Sequence, residues 1–218
     1  MKKTYSLFFI VCCLLLTFLT TGCARTVTSY VTYGEEMVVD VTLRGNMDTN
    51  ANRYFLVLAR TPAYRVPLPP PDNIDFEMIE PGTTPRSGAL ADYYANFYAS
   101  WEGYCIVDPG GYFLVDGPFV IGAPITREVI ASLGTVSTRL KFNFELSRAF
   151  GTVIPDTIYF DLVTVPWPDD AARLPADHLT ATDAYISKVA GSITTITDDP
   201  NPTLDASLDI SKCTVTIQ

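Results

Sequence analysis

The most constraining feature of the chain is an alternation of apolar and polar residues with a period of two. Its clearest stretch carries Leu140, Phe142, Phe144 and Leu146, with polar residues between them. This period places the apolar side chains on one face of a β-strand, whereas a helix repeats about every 3.6 residues. Further stretches of strand-like composition cover residues 39–43, 54–58, 104–107, 112–115, 158–165, 189–196 and 208–217. The chain is therefore predicted to fold as an all-β, mostly antiparallel β-sandwich.

Two stretches depart from the strand pattern. Residues 61–89 contain seven prolines, which exclude a regular helix or a central strand and predict a long Pro-rich loop. Residues 127–133 lie between Thr126, a typical N-cap, and Gly134, a typical stop signal, so they are predicted to form one short helix.

Two β-hairpins are predicted from the turns between strands. Strands 39–43 and 54–58 are separated by a polar segment and are expected to pair across it. Strands 104–107 and 112–115 are joined by Asp-Pro-Gly-Gly, a strong turn signal.

The N-terminus has the pattern of an export signal. Lys2 and Lys3 precede an apolar stretch at 7–16, and Thr21-Gly22-Cys23 follows. This pattern resembles a bacterial lipoprotein signal peptide, in which small residues precede a cysteine that receives lipid. One difference is that Thr20 stands three residues before the cysteine, where that pattern usually has Leu.

The resemblance implies a domain organisation and a location. Residues 1–22 would be removed, Cys23 would carry a diacylglycerol and a further acyl chain such as palmitate, and residues 23–35 would tether a single domain at 36–218. The protein would then be anchored in the bacterial cell envelope, in the outer membrane where there are two. The alternative is ordinary cleavage after Ala24, which would discard Cys23 and leave an exported protein without an anchor.

Composition excludes several functional classes. Hydrophobic residues make up 48% and charged residues 18% of the chain, which excludes a disordered protein. The formal charge of −9 argues against a nucleic-acid partner, because nucleic acid attracts basic surfaces. Cys105 and Cys213 would remain in an oxidising compartment, where they are expected either to form a disulfide or to stay as two buried thiols.

No catalytic motif accompanies the titratable residues. His178 is the only histidine, and without a Gly-x-Ser-x-Gly motif it is interpreted as a surface or capping residue. The acidic pairs Asp169-Asp170 and Asp198-Asp199 lie in Pro-rich stretches and are interpreted as turn residues rather than glycosidase carboxylates. We therefore expect no cofactor and favour a protein that is not an enzyme, with an enzymatic role kept as an alternative.

A weak metal-binding pattern lies in one predicted turn. Asp48, Asn50 and Asn52 have the alternate spacing with which a calcium loop begins. However, Arg53 stands where an EF-hand loop needs Gly, and Ala59 stands where it needs the closing Glu. An ordinary turn is the favoured interpretation, because Asn and Asp are common in turns.

The segment 93–104 is unusually rich in aromatic residues. Tyr94, Tyr98 and Trp101 could form an exposed platform that binds a glycan or a protein partner. Packing of the same side chains in a core is the alternative, and it is favoured.

Together these observations predict an exported, membrane-anchored lipoprotein with a non-catalytic binding or structural β-sandwich. One alternative is a secreted carbohydrate-active enzyme or its accessory carbohydrate-binding domain, which a cleft with two convergent carboxylates would favour. Another is a carrier of an apolar ligand, which a cavity larger than a packing void would favour.

Overall fold

The structure, a computed structural model, describes residues 32–68, 76–179 and 184–218. The predicted signal peptide, Cys23 and the first part of the tether lie outside these residues. The described segments form one compact unit that starts at Thr32.

Two antiparallel β-sheets make up the fold, as the alternation predicted. The small sheet has the strand order β10-β11-β1-β6. Its strands are β1 (Glu36–Leu43), β6 (Arg139–Glu145), β10 (Ile193–Thr197) and β11 (Ile210–Ile217). β1 lies at its centre, with Val39 opposite Val215 on one side and Phe142 on the other.

The large sheet has the order β5-β4-β3-β2-β7-β8, and a short strand β9 also pairs with β7. Its strands are β2 (Asn52–Ala59), β3 (Gly103–Asp108), β4 (Gly111–Asp116), β5 (Glu128–Ala131), β7 (Thr157–Pro166), β8 (Asp177–His178) and β9 (Tyr185–Ser187). The predicted hairpin between β3 and β4 is confirmed, with Tyr104 opposite Val115.

The main core lies between the two sheets. The alternating residues of β1 and β6 face it, and Val39, Val41, Leu140 and Phe144 are all buried. Because apolar surface is worth about 25 cal/mol per Å² removed from water, burial of these faces is the main term that holds the sheets together. The predicted fold class and buried faces are confirmed.

A second core covers the outer face of the large sheet. Helix α1 (Leu90–Asn96), a 3₁₀ turn (Tyr98–Ser100) and the described parts of the Pro-rich loop pack against β2, β3 and β7. β2 and β3 are consequently buried on both faces, and residues 54–59 and 104–107 within them are continuously apolar rather than alternating.

Two sequence predictions about local structure are wrong. Residues 128–131 form strand β5 rather than a helix, because Val129 pairs with Phe113 on the edge of the large sheet. The predicted hairpin between 39–43 and 54–58 does not form, because β1 belongs to the small sheet and β2 to the large one. A second helix, α2 (Leu146–Phe150), directly follows β6.

Candidate functional site

A groove opens where the second core ends, beside β7 and β8. Its volume is about 580 Å³, within the range typical of small-ligand sites. Most of the lining side chains are apolar or aromatic, and the floor carries one acidic and one imidazole side chain. The lining residues are Pro62, Tyr64, Arg65, Val66, Leu68, Phe97, Tyr159, Asp161, His178, Leu179 and Ala184.

Asp161 reaches the groove through the alternation of β7. Its side chain shares the outer face of the large sheet with Val163 and Val165, which belong to the second core. Asp161 lies two residues before Val163 on this face, outside the second core. A charged residue in the middle of an apolar strand is therefore buried at the groove floor rather than in the core between the sheets.

His178 is positioned by the pairing of β8 with β7. Val163 lies opposite His178 in this ladder, which brings the imidazole beside the carboxylate of Asp161. The Nδ1 atom of His178 and the Oδ2 atom of Asp161 are 3.5 Å apart, and their side chains are 30% and 6% exposed. This distance exceeds the 2.7–3.2 Å typical of an N–H···O bond, so the attraction is mainly electrostatic.

The two groups shift each other's titration. The Asp161 carboxylate raises the pKa of His178 above its ordinary value, although partial burial of the ring acts in the opposite direction. Burial raises the pKa of Asp161, and His178 and the N–H of Leu179, 3.2 Å from Oδ1, oppose that change. The pair therefore holds a proton more tightly than two isolated side chains would.

The wall of the groove is fixed by hydrogen bonds to backbone. The Tyr64 hydroxyl donates to the carbonyl of Phe160 at 2.9 Å. Burial raises the pKa of Tyr64, so its hydroxyl stays protonated at neutral pH. Nearby, the indole N–H of Trp101 donates to the carbonyl of Arg65 at 2.6 Å. These bonds hold residues 64 and 65 against the sheet.

The His178–Asp161 pair has no aliphatic hydroxyl or thiol nucleophile beside it among the described residues of the groove. A His–Asp pair activates a hydroxyl or thiol nucleophile in many hydrolases. Among the described residues that line this groove there is no serine, threonine or cysteine. With Nδ1 beside Asp161, the Nε2 atom of His178 is the ring nitrogen left to bond a ligand.

Sequence reasoning missed this site. His178, interpreted as a surface or capping residue, is instead half-buried and paired with Asp161. The available signal was Asp161 itself, a carboxylate within the strand Ile-Tyr-Phe-Asp-Leu-Val. The identity of its partner depends on the register of β7 and β8, which the sequence does not give.

The aromatic residues of segment 93–104 pack in a core, the interpretation that the sequence favoured, and do not form an exposed platform. Tyr94, Tyr98 and Trp101 are only 7%, 0% and 3% exposed and lie in the second core. The Tyr98 hydroxyl donates to the carbonyl of Ile79 at 2.8 Å, which satisfies its polar atom inside the core. The ring centroids of Tyr98 and Trp101 are 5.0 Å apart with their planes tilted by 67°, an edge-to-face contact. The core alternative therefore describes these residues.

The candidate calcium residues do not converge. The Oδ1 atom of Asp48 accepts the backbone N–H groups of Asn50 and Ala51 at 3.0 and 3.3 Å, as in an Asx turn. Asn52 is buried, and its amide donates to the hydroxyl of Ser207 at 2.8 Å. Asp48 and Asn50 therefore belong to a turn, whereas Asn52 begins β2 and its side chain is bonded within the fold.

The two cysteines lie in different sheets. Cys105 is in β3 of the large sheet and Cys213 is in β11 of the small sheet, and both are buried free thiols. The structure thus has no bond between them and corresponds to the alternative of two separate thiols, each occupying a packing position in the main core.

Two further absences apply to residues 32–68, 76–179 and 184–218. None of their helices has both the length and the apolar character needed to cross a membrane. Nor do three or more of their His, Cys, Asp or Glu side chains cluster closely enough to hold a metal ion.

Compared with protein-family models, curated proteins and solved structures, the chain matches none.

Proposed function

We propose that the protein is an exported lipoprotein, anchored in the cell envelope through Cys23, whose β-sandwich binds a small ligand without chemical conversion. The observation that carries the binding role is the groove over the His178–Asp161 pair. Its apolar walls would hold the body of the ligand, and His178 would bond its polar end. This proposal unites the binding lipoprotein with the apolar-ligand carrier predicted from the sequence.

The chemistry of the groove indicates the kind of polar end. An imidazolium at His178 donates a hydrogen bond from Nε2, and its raised pKa keeps this form populated nearer neutral pH. A ligand with a hydrogen-bond acceptor, and a carboxylate above all, therefore matches the floor. A glycan has less support, because the aromatic residues expected to stack on sugar rings are buried.

Binding can be tested with 3-phenylpropionate, a soluble probe with an apolar ring and a carboxylate. By titration calorimetry on the full chain at pH 6, we expect binding that weakens about tenfold in His178→Gln, which corresponds to about 1.4 kcal/mol. Val66→Trp, which fills the groove, should abolish it. The matched control Asn143→Gln lies in β6, an edge strand of the small sheet away from the groove, and should bind the probe as the wild type does. Equal affinity in all four proteins would refute the assignment.

The anchor needs a separate test. Cells grown with an alkyne analogue of palmitate should label the wild-type protein and not the variant Cys23→Ala, and only the wild type should remain in the membrane fraction. A wild type that is released without label, together with normal processing of Cys23→Ala, would show ordinary cleavage after Ala24. That result would remove the anchor without affecting the groove.

A further inference from the structure

Strand β10 is an open edge of the small sheet. It is the last strand in the order β10-β11-β1-β6, and within residues 32–68, 76–179 and 184–218 its backbone pairs with β11 alone. At its two ends, the amide of Asp198 donates to β11 at 3.1 Å and the carbonyl of Ser192 accepts from β11 at 3.0 Å. In an antiparallel ladder every second residue directs its backbone N–H and C=O groups to the neighbouring strand. The backbone groups of residues 194 and 196 therefore also point to β11.

The other three residues of β10 turn their backbone groups away from the sheet. Ile193, Thr195 and Thr197 therefore present N–H and C=O groups along the free edge. Their side chains lie on the outer face and are exposed. Such a row of unpaired backbone groups is a template for another strand.

The composition of β10 has none of the features that usually prevent another strand from pairing with an edge. Its sequence, Ile-Thr-Thr-Ile-Thr, has no charge, proline or glycine. The opposite edge, β6, carries Arg139, Lys141 and Glu145 at alternate exposed positions, the arrangement that prevents edge-to-edge pairing. The two edges of one sheet thus differ in the feature that decides whether a strand can add.

One large apolar side chain of β10 is exposed, and two exposed tyrosines belong to neighbouring segments. Ile193 is 67% exposed. Tyr185 is exposed as well, and its backbone carbonyl accepts a hydrogen bond from the hydroxyl of Thr194 at 2.8 Å. Exposed Tyr33 pairs with Val189, a few residues before the strand. β10 therefore carries one large exposed apolar side chain, Ile193, beside its open edge.

We propose that a second copy of this chain pairs with it, antiparallel, along β10. The strand is self-complementary about Thr195: two copies related by a two-fold axis place Ile193 of one opposite Thr197 of the other. Each facing pair exchanges two N–H···O bonds, and no charged side chain meets its own copy. For a chain of formal charge −9, an uncharged edge is where two copies approach with least repulsion.

The position of the two-fold axis gives a direct test by crosslinking. Residues that form a hydrogen-bonded antiparallel pair have Cα atoms about 5.5 Å apart, which suits a disulfide. In membranes from cells that express the full chain, oxidised Thr195→Cys should run at twice the monomer mass on a non-reducing gel. The matched control Asn143→Cys, on the charged edge, should remain monomeric. The native Cys105 and Cys213 are buried and would not contribute.

A second variant tests the backbone itself. Thr195→Pro removes one outward N–H group and leaves the β11 ladder intact, so it should weaken self-association about tenfold by sedimentation equilibrium. Thr195→Lys should have the same effect through charge, and Asn143→Lys should have none. Absence of a crosslink at 195, equal crosslinking at 143, or a crosslink to a different protein would each overturn the proposal.

Discussion

Because the chain contains a single histidine, the His178–Asp161 pair can be measured without interference. We predict that the imidazole of His178 titrates above its ordinary pKa of about 6.5, and that Asp161→Asn moves its titration to lower pH. The asparagine keeps the shape of the side chain but removes the charge 3.5 Å from Nδ1. Partial burial of the ring then remains, which acts to lower the pKa.

The energy of the pair is large enough to detect. Two unit charges 3.5 Å apart attract by about 1 kcal/mol in water and by about 5 kcal/mol at an effective dielectric constant of about 20. Burial of Asp161 offsets part of this gain. After this cost, a net contribution of about 1–3 kcal/mol is expected, between the two Coulomb energies above.

The dependence of stability on pH has a definite sign. The folded-state pKa values of His178 and Asp161 are both raised, so the folded protein binds more protons than the unfolded chain. The His178 contribution is complete below about pH 6.5 and is lost as the pH rises through the folded pKa. The free energy of unfolding of the wild type should therefore decrease as the pH rises from 5.5 to 8.5. In His178→Gln this decrease should be smaller, because the contribution of the imidazole is absent.

The assay is a ¹H–¹³C NMR titration of the imidazole in wild type and variants, with urea unfolding at the two pH values. Asp198→Asn is the control, because Asp198 is the smallest of the carboxylate influences on His178 and should change the titration least. A wild-type His178 that titrates below 6.5, or one that is unaffected by Asp161→Asn, would refute the reasoning.

Three further predictions concern the two cores. Phe144→Ala should lower the free energy of unfolding by about 3–5 kcal/mol in urea, because it leaves a cavity between the sheets; a loss below about 1 kcal/mol would contradict its burial. Tyr98→Phe should cost about 1–3 kcal/mol, because the buried carbonyl of Ile79 loses its donor, whereas an exposed platform tyrosine would cost almost nothing. Cys105 and Cys213 should resist a thiol reagent in the folded protein, since burial raises both pKa values, that of Cys213 to about 12. Both should react after unfolding without reductant, and finding no reactive thiol at that point would indicate a disulfide.

The strands could be predicted from the sequence because their faces differ in polarity. β6 alternates strictly, so the side chains of Leu140, Phe142 and Phe144 could be assigned to a core before any pairing was known. β1 alternates in the same way. Where one side of a strand faces water and the other faces a core, period two is imposed by solvent and is visible in a single sequence.

The pairing of the strands and the second core over the large sheet could not be predicted in the same way. β1 and β2 are joined by the polar loop 44–51, yet they belong to different sheets. Such a loop is equally compatible with a hairpin and with a crossover, so the sequence does not distinguish the two. β5 was interpreted as part of a helix because the segment 127–133, between Thr126 and Gly134, carries too little periodicity to distinguish a helix from a strand. The second core was suggested only by its excess of aromatic residues.

The placement of Asp161 is the strongest physical reason to regard the groove as functional. A carboxylate buried on an otherwise apolar face costs desolvation energy, and apolar residues in place of a buried ion pair are often neutral or stabilising. The neighbouring positions on that face, Val163 and Val165, show that this strand accommodates valine there. Packing alone therefore does not require an acidic residue at 161. The Asp161–His178 pair places a partly exposed imidazole at the floor of a groove with apolar walls. Asp161 lies beside Nδ1 of this imidazole and so orients the ring. The proposed ligand site gives this arrangement a role that packing of the fold does not give it.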